Sequence, residues 1–491
     1  MSARAELGTL EASGLIEIAA LQPELEYLFR HALVQEAAYA SLLKQDRRLL
    51  HRAAADTILT LHPERERELA GVIAMHLEQA GDSVRAANYF VLAGQHALER
   101  FANREAIALF ARADALADDS QIDLRLRAAI GGAKAGWTYN SPGSDIDRLE
   151  RALAAAERAD QSLVTQAYFW VAFLRRQRGE APESSPPLQE ALDRAKEVGV
   201  ALNDPGAAAL PRALMGSYMA FIGNLRMGVG EMRAALDMIE QQNDPLSTAM
   251  IADFLAITHA RLGDFAEAEA TIAESRRHAG VADDIARVDL DISESALHLE
   301  RGDADRASAQ ARDCAARSEE LGAYACVVVS NLMLGAASLA REDAPGAKAP
   351  LERSDELSRV TNMAPMRTLV QAFLGSVRAR LGDLPGGVAA WDEALASARA
   401  MTDRYGEAQT LWGRARAYAL LPEPDWSAAL ADLDRAIELF EAMETRPALA
   451  RALRQRAAAR RAVGRDEEAT ADQVRSLALG SDLGLKDFSP A

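Results

Sequence analysis

The 491 residues are 49% hydrophobic and 26% charged, a balance that can bury a sizeable core and excludes a disordered chain. A formal charge of −18 argues against a general phosphate-binding surface, so nucleic acid is not an expected partner. Two cysteines, Cys314 and Cys326, make no disulfide framework; with no CxxC and no Cys/His grouping they read as buried thiols in a reducing, cytoplasmic setting.

In chain order, no basic–apolar–small signal opens the sequence. Leu15, Ile16 and Ile18, then Leu25, Tyr27 and Phe29, flank Gln22-Pro23-Glu24 and read as a β-hairpin. One helical stretch follows from Phe29 through Arg47, Arg48 and His51 to Ala54. Three helical patterns run from Glu64 to Leu116, punctuated by Gly81-Asp82 and Asn103, and Ala86, Phe90 and Ala93 make a small–bulky–small stripe. The pattern loosens between Ala117 and Asp160, where Gly131, Gly132 and Gly136 fall in or beside one helix. Longer turns are expected at Gly179-Glu180, Pro182 to Pro187 and Asn203 to Gly206. The most apolar run, Tyr324 to Ala340, contains Ser330, Asn331 and Ser338 and is too short to span a bilayer, so it reads as a core helix.

From Gly206 to about Gly480 the register is steady. The clearest unit is Arg380 to Leu395: Gly382 and Asp383 break one helix, Asp383 caps the next, and Gly387, Trp391 and Ala394 share a stripe. The first residue of that stripe recurs as Gly228, Ala268, Ala307, Ala347, Gly387, Ala429 and Ala469, at steps of 40, 39, 40, 40, 42 and 40 by subtraction. Such a period signals stacked helical hairpins. Trp391 is expected to fill the space between two antiparallel helices.

These residues resemble the tetratricopeptide-repeat family in its lengthened form. Ser295 and Glu342 depart from it, replacing a small first-helix residue and a turn glycine. The implied fold is an all-α, right-handed superhelix of roughly nine to eleven hairpins, its stability a sum of repeat and neighbour terms. A second resemblance is carried by Phe29, Arg30, His31, Ala32, Leu33, Val34, Gln35, Glu36, Tyr39, Leu42, Leu43, Arg47 and His51. They resemble the junction between a winged-helix segment and the helical arm of bacterial signal-transduction ATPases of the STAND class, including adenylyl cyclase-linked and LuxR-type regulators. The division this implies is 1–45 winged-helix remnant and junction helix, 46–140 N-terminal helical repeats, 141–480 superhelix and 481–491 loose tail. The ATPase domain would lie upstream, so the chain reads as a fragment, a truncated product or a stand-alone descendant of the arm.

No catalytic constellation is legible. A phosphate-cradling loop needs Gly-Lys followed by Ser or Thr, and the sequence has no Gly-Lys pair. The eight histidines form no HExxH; His31 reads as a helix-start residue or as a nucleotide or inter-domain contact inherited from the family. Asp289, Asp291 and Glu294, with Asp283-Asp284, read as a solvated helix start, not a cation site. No catalytic residue, cofactor or metal is expected. Counting back from the turns, as the repeat resemblance implies, puts Phe169, Phe173, Asp253, Ile257, Arg414 and Tyr418 on the concave wall as candidate partner-binding residues, with Trp170 in the core. The expected function is a non-catalytic scaffold or sensor arm that binds a protein or peptide in its groove, with an ATPase or cyclase domain as partner in cis or trans. The alternative is a small-ligand sensor whose curvature responds to an effector. DNA binding through the winged-helix remnant is a third reading, disfavoured by acidity and an incomplete recognition segment. No membrane association is expected.

Overall fold

The computed structural model describes residues 3–20, 26–100, 102–139, 142–154, 156–180, 185–186, 189–190, 192–194, 197, 205–239, 244–279 and 284–488. The expected turns at Gln22-Pro23-Glu24 and Pro182–Pro187, and Asp283, fall wholly or mainly outside these residues.

Helix α1 (Ala3–Ala12) precedes the expected hairpin and was not anticipated; β1 (Ile16–Ala20) and β2 (Glu26–Phe29) pair antiparallel with Ile16 opposite Phe29. The helical stretch expected from Phe29 to Ala54 is two helices, α2 (Ala32–Ser41) and α3 (Lys44–Leu61). Leu42 and Leu43 between them take extended backbone, with ψ of 141° and 149°, which lets the two helices turn against each other.

The repeats follow. They comprise α4 (Glu66–Ala80), α5 (Ser83–Glu99), α6 (Asn103–Leu116), α7 (Ile122–Gly136), α8 (Pro142–Leu153) and α9 (Gln161–Gln177). After these come α10 (Pro205–Phe221), α11 (Leu225–Ile239), α12 (Pro245–Leu262), α13 (Phe265–Ala279), α14 (Asp284–Glu300), α15 (Ala304–Leu321) and α16 (Tyr324–Ala340). The last are α17 (Ala344–Val360), α18 (Ala364–Arg380), α19 (Leu384–Ala400), α20 (Arg404–Ala419), α21 (Trp426–Ala442), α22 (Arg446–Ala462) and α23 (Asp466–Asp482). Inner helices such as α12 and α14, or α18 and α20, pack side by side, and each pairs with an outer helix. No described helix is long and apolar enough to cross a membrane.

The sequence marks account for this order. Every residue of the repeated marker set from Gly228 to Ala469 is buried. Trp391 is fully buried, its indole N–H donates to the Ala372 carbonyl at 3.0 Å, and a side chain at Gly375 would collide with it. Asp303, Asp343, Asp383 and Asp425 cap outer helices by accepting the backbone N–H three residues on. Gly263, Gly302 and Gly382 take the left-handed backbone that ends an inner helix, and Glu342 takes it too, at φ 63°. Ser295 keeps its helices close by donating to the carbonyl of marker Ala307 at 2.9 Å. Leading into the looser stretch, Gly94 and Gly131 leave the room that Phe110 fills.

The superhelix winds far enough for its second turn to lie on its first. Ala325 N–H donates to Thr138 O at 3.1 Å, Arg446 Nε to Leu262 O at 2.7 Å and Lys486 N–H to Arg301 O at 2.9 Å. These partners are 187, 184 and 185 residues apart by subtraction, so one turn takes between four and five hairpins. Gly223 faces Arg404 and Met443, Gly263 faces Leu483 and Pro447, and Gly302 faces Asp487. A single apolar cluster consequently extends from Ala209 to Leu453. Stability is therefore more than a sum of adjacent-repeat terms.

The seam also corrects the expected loose tail. Helix α23 continues to Asp482, Leu485 is 1% exposed, and a 3-10 turn at Lys486–Phe488 docks on the first turn through the Lys486 N–H bond to Arg301 O and the contact of Asp487 with Gly302, while Arg451 of the neighbouring α22 holds Asp487 at 2.8 and 3.0 Å. Charged and apolar anchors together hold the expected loose tail as far as Phe488, the last described residue.

Candidate functional site

The inner helices surround an axial cavity of about 370 Å³, bounded by α9, α10, α12, α14, α16, α18, α20 and α22. Its wall has a simple register. The residue two before the end-of-helix turn faces it on successive inner helices, as Gln177, Phe221, Arg261, Glu300, Ala340 and Arg380; so does the residue six before, from Phe173 to Ser376. One turn of helix separates the two rows, which is why both share a face.

Of the six residues expected in the groove, Phe173, Asp253 and Ile257 line this cavity. Phe169 does not. It is 1% exposed, packed against Trp170 at 5.2 Å and Phe173 at 5.9 Å between ring centres, so it belongs to the core with Trp170. Arg414 and Tyr418 also lie off the wall: Arg414 is held bidentately by Asp432 at 2.7 and 2.8 Å, and Tyr418 meets Trp391 edge-on. The reason is local. Helix α20 ends without a turn glycine, and the two extra residues of the 42-residue step lie between it and its partner's cap, Asp425. A miscount of two residues rotates the inferred face by roughly 200°. The true lining residues of α20 are Tyr405, Gln409, Trp412, Gly413 and Arg416.

Polar groups divide the wall into layers. Near the start of the inner helices, Ser293 Oγ donates to Asp253 at 2.5 Å and Cys326 Sγ to Asp289 at 3.3 Å. Burial pushes the Asp253 carboxyl up to about 7, opposed by the Ser293 hydroxyl and by Arg261; its small accessible surface is that of the cavity itself. Burial also raises both thiols, Cys314 to about 12, so neither is poised as a nucleophile. Asp291 and Glu294, expected to be solvated, both accept from Arg276, while Asp289 turns inward.

The second layer sits at the seam. Tyr405 donates to Glu300 at 2.8 Å, and burial raises its phenol. Asp403 caps α20 by accepting from Gly406 N–H at 2.8 Å, and burial lifts its carboxyl to about 6. The Arg261 guanidinium lies 3.9 Å from the Tyr405 ring centre. Arg451 donates to the Glu300 carbonyl at 2.9 Å, and Arg380 and Arg416 share Glu342. Sequence reasoning missed Arg261, Asp403 and Tyr405. Arg261 was legible from its place two before Gly263; the other two depend on the turn-on-turn contact. No group of three or more potential metal ligands occurs among the described residues. His31 occupies the N-cap of α2 and makes no side-chain cap bond.

The sequence matches no family model and no curated protein. Among solved structures, a Rap protein complexed with Competence and Sporulation Factor superposes at a TM-score of 0.51 and 12% identity, over 81% of this chain and 98% of that one. A signal transduction ATPase with numerous domains and a tetratricopeptide repeat sensor, from Pyrococcus horikoshii, gives 0.47 and 16% identity, over 80% of this chain and 58% of that one. The fold is an all-α superhelix of tetratricopeptide-like hairpins.

Proposed function

We propose that this chain is a non-catalytic sensor superhelix that takes an effector in its axial cavity and serves as the arm of a bacterial signalling switch. One observation carries the reading: the cavity crosses the seam, so Arg261 of the first turn and Tyr405 of the second face the same space. A molecule held there touches both turns, and its binding energy favours the closed stack over an opened one. The volume lies in the range of small-molecule sites, roughly 300–1,000 Å³. This supports the effector reading over a folded protein laid in the groove. A short peptide is the second reading, supported by the Rap protein of the same fold, which is described in complex with a factor. A switch domain, in cis or in trans, would dock on the apolar face left by Leu33, Leu43, Leu49 and Leu50, all more than half exposed.

The test is thermal denaturation with metabolite and peptide pools, comparing the natural chain with Ala336→Phe, which fills the cavity from α16. A ligand at 100 times its dissociation constant should stabilise by about 2.7 kcal/mol in the natural chain only. Equal stabilisation of the filled variant would refute a cavity site.

A further inference from the structure

The cavity wall also indicates the chemistry of what it takes; the argument rests on the sensor reading and deepens it. Five guanidinium groups face the cavity. Arg380 and Arg416 are matched by Glu342, Arg451 by Asp487 and the Glu300 carbonyl, and Arg176 stacks on Phe221 at 3.7 Å. Arg261 differs. It rests on the Tyr405 ring and makes no hydrogen bond or ion pair with any described residue. A guanidinium cannot shed its charge, and its fork of N–H donors fits a carboxylate bidentately.

The charged groups around Arg261 do not fill that place. Glu300 is engaged by Tyr405 and Arg451, Asp403 by the cap of α20, and Asp253 by Ser293, two helical turns away on α12. Both aspartates can also become neutral by taking a proton, since burial raises their carboxyls towards neutrality. Arg451 and Arg176 add further positive charge at the seam. A cation would meet a permanent charge of its own sign.

Below Arg261 an apolar stripe runs along the wall beside Asp253. Met250, Phe254, Ile257 and Arg261 follow at spacings of four, three and four along α12, and all line the cavity. That stripe is roughly 16 Å long at the helical rise, and Phe173 and Met366 face it from α9 and α18. We propose that the cavity binds an unbranched or aryl-substituted apolar monocarboxylic acid, its carboxylate in the fork of Arg261 and its apolar body along Ile257, Phe254 and Met250.

The experiment is calorimetric titration with hexanoate, octanoate and decanoate, each below its micelle concentration, beside the matching primary alcohols and amines. The acids should bind most tightly, with affinity rising about four-fold per added methylene until the cavity is full. Arg261→Gln should lose ten-fold or more for the acids and leave the alcohols unchanged. Ile257→Trp, which shortens the apolar stripe without touching the anchor, should shift the preferred acid to a shorter chain; it serves if Arg261→Gln does not fold. The proposal is overturned if the amines bind more tightly than the acids, if Arg261→Gln binds decanoate like the natural chain, or if none of these probes binds. Alcohol binding without an acid preference would overturn the anion site and leave the cavity reading intact; wild-type decanoate affinity in Ala336→Phe would overturn both.

Discussion

The two ends of this chain are built from similar helices and are held very differently. In α2 no residue is buried and in α3 only Ala55 is, while Leu33 stands 79% and Leu43 71% exposed. From α10 to α20 each inner helix touches its outer partner, the next inner helix and, across the seam, a hairpin about one turn away. Local sequence quality does not explain the contrast, because both regions carry apolar residues at helical spacing. Neighbours do. A hairpin in a stack is stabilised by what lies beside it, and the seam gives the middle repeats a further partner that a one-dimensional array lacks.

The largest expected effect removes the packing common to both helices of one repeat. Trp391→Ala should cost about 3–5 kcal/mol, because the indole fills the gap left by Gly375 and its N–H satisfies Ala372. Chemical denaturation followed by circular dichroism measures it, and the loss should extend beyond α18 and α19 because the apolar cluster is continuous through the seam. Loss confined to that hairpin would return the molecule to simple nearest-neighbour behaviour.

Next comes the buried carboxyl on the cavity wall. The folded pKa of Asp253, about 7, lies above its ordinary value of 3.8. Its favourable contribution is therefore fully present below about pH 4 and is lost as pH rises through about 7. Asp253→Asn should stabilise the closed turns at pH 8 by on the order of 2 kcal/mol, discounted for water the cavity admits, and the gain should vanish below about pH 4. Equal effects at both pH values would show that the carboxyl is not buried in the folded molecule.

The repeat architecture was legible because its signal is periodic and local: the marker stripe, the capping aspartates and the turn glycines fix helix ends and faces within one unit. The seam was not legible, since Ala325 and Thr138, or Arg446 and Leu262, are joined by superhelical pitch and by no motif. Half of the candidate wall followed from the turn register. Phe173, Asp253 and Ile257 precede a turn glycine by six or ten residues, whereas Arg414 and Tyr418 lie off the wall because α20 lacks that reference, and Phe169 lies off it because it packs against Trp170 and Phe173 in the core. The docked tail escaped for the same reason as the seam, as Lys486 and Asp487 meet Arg301 and Gly302 only through the superhelical pitch.

A smaller effect tests the seam directly. Arg446 donates to Leu262 O and to Asp264 at 2.6 Å, and both the helix start and the Gly263 turn depend on that bridge. Arg446→Ala should cost about 1–3 kcal/mol, since Asp264 loses one of its two guanidinium partners, keeping Arg226, and the carbonyl loses its Arg446 bond. Amide exchange should quicken at Gly263 and at Leu485 together while Trp391 stays protected. Protection lost at Gly263 alone would mean that the turns are not coupled along their length.

The smallest effect belongs to the exposed end. A hairpin that meets only α1 and α2 among the described elements, with Ile16 the one buried side chain among its described residues, lacks the apolar contacts that make a β-hairpin persist in water. Residues 16–29, and α2 with the first half of α3, should exchange quickly at neutral pH, with protection beginning at α4. Acid should extend the fraying. His51 Nδ1 lies 2.8 Å from His76 Nδ1, an arrangement that needs one neutral acceptor ring, and burial, with His51 beside it, holds His76 below the usual histidine range. A depressed histidine contributes stability that is present above about pH 6.5 and lost as pH falls through its folded value. Exchange corrected for intrinsic rates should therefore spread from α3 into the start of α4 between pH 7.5 and 5.5, and His76→Gln should remove that pH dependence without changing protection at Trp391. Uniformly slow exchange from Leu15 to Leu50 in a monomer would show instead that the hairpin and α2 form a self-sufficient cap, and the contrast between the two ends would disappear.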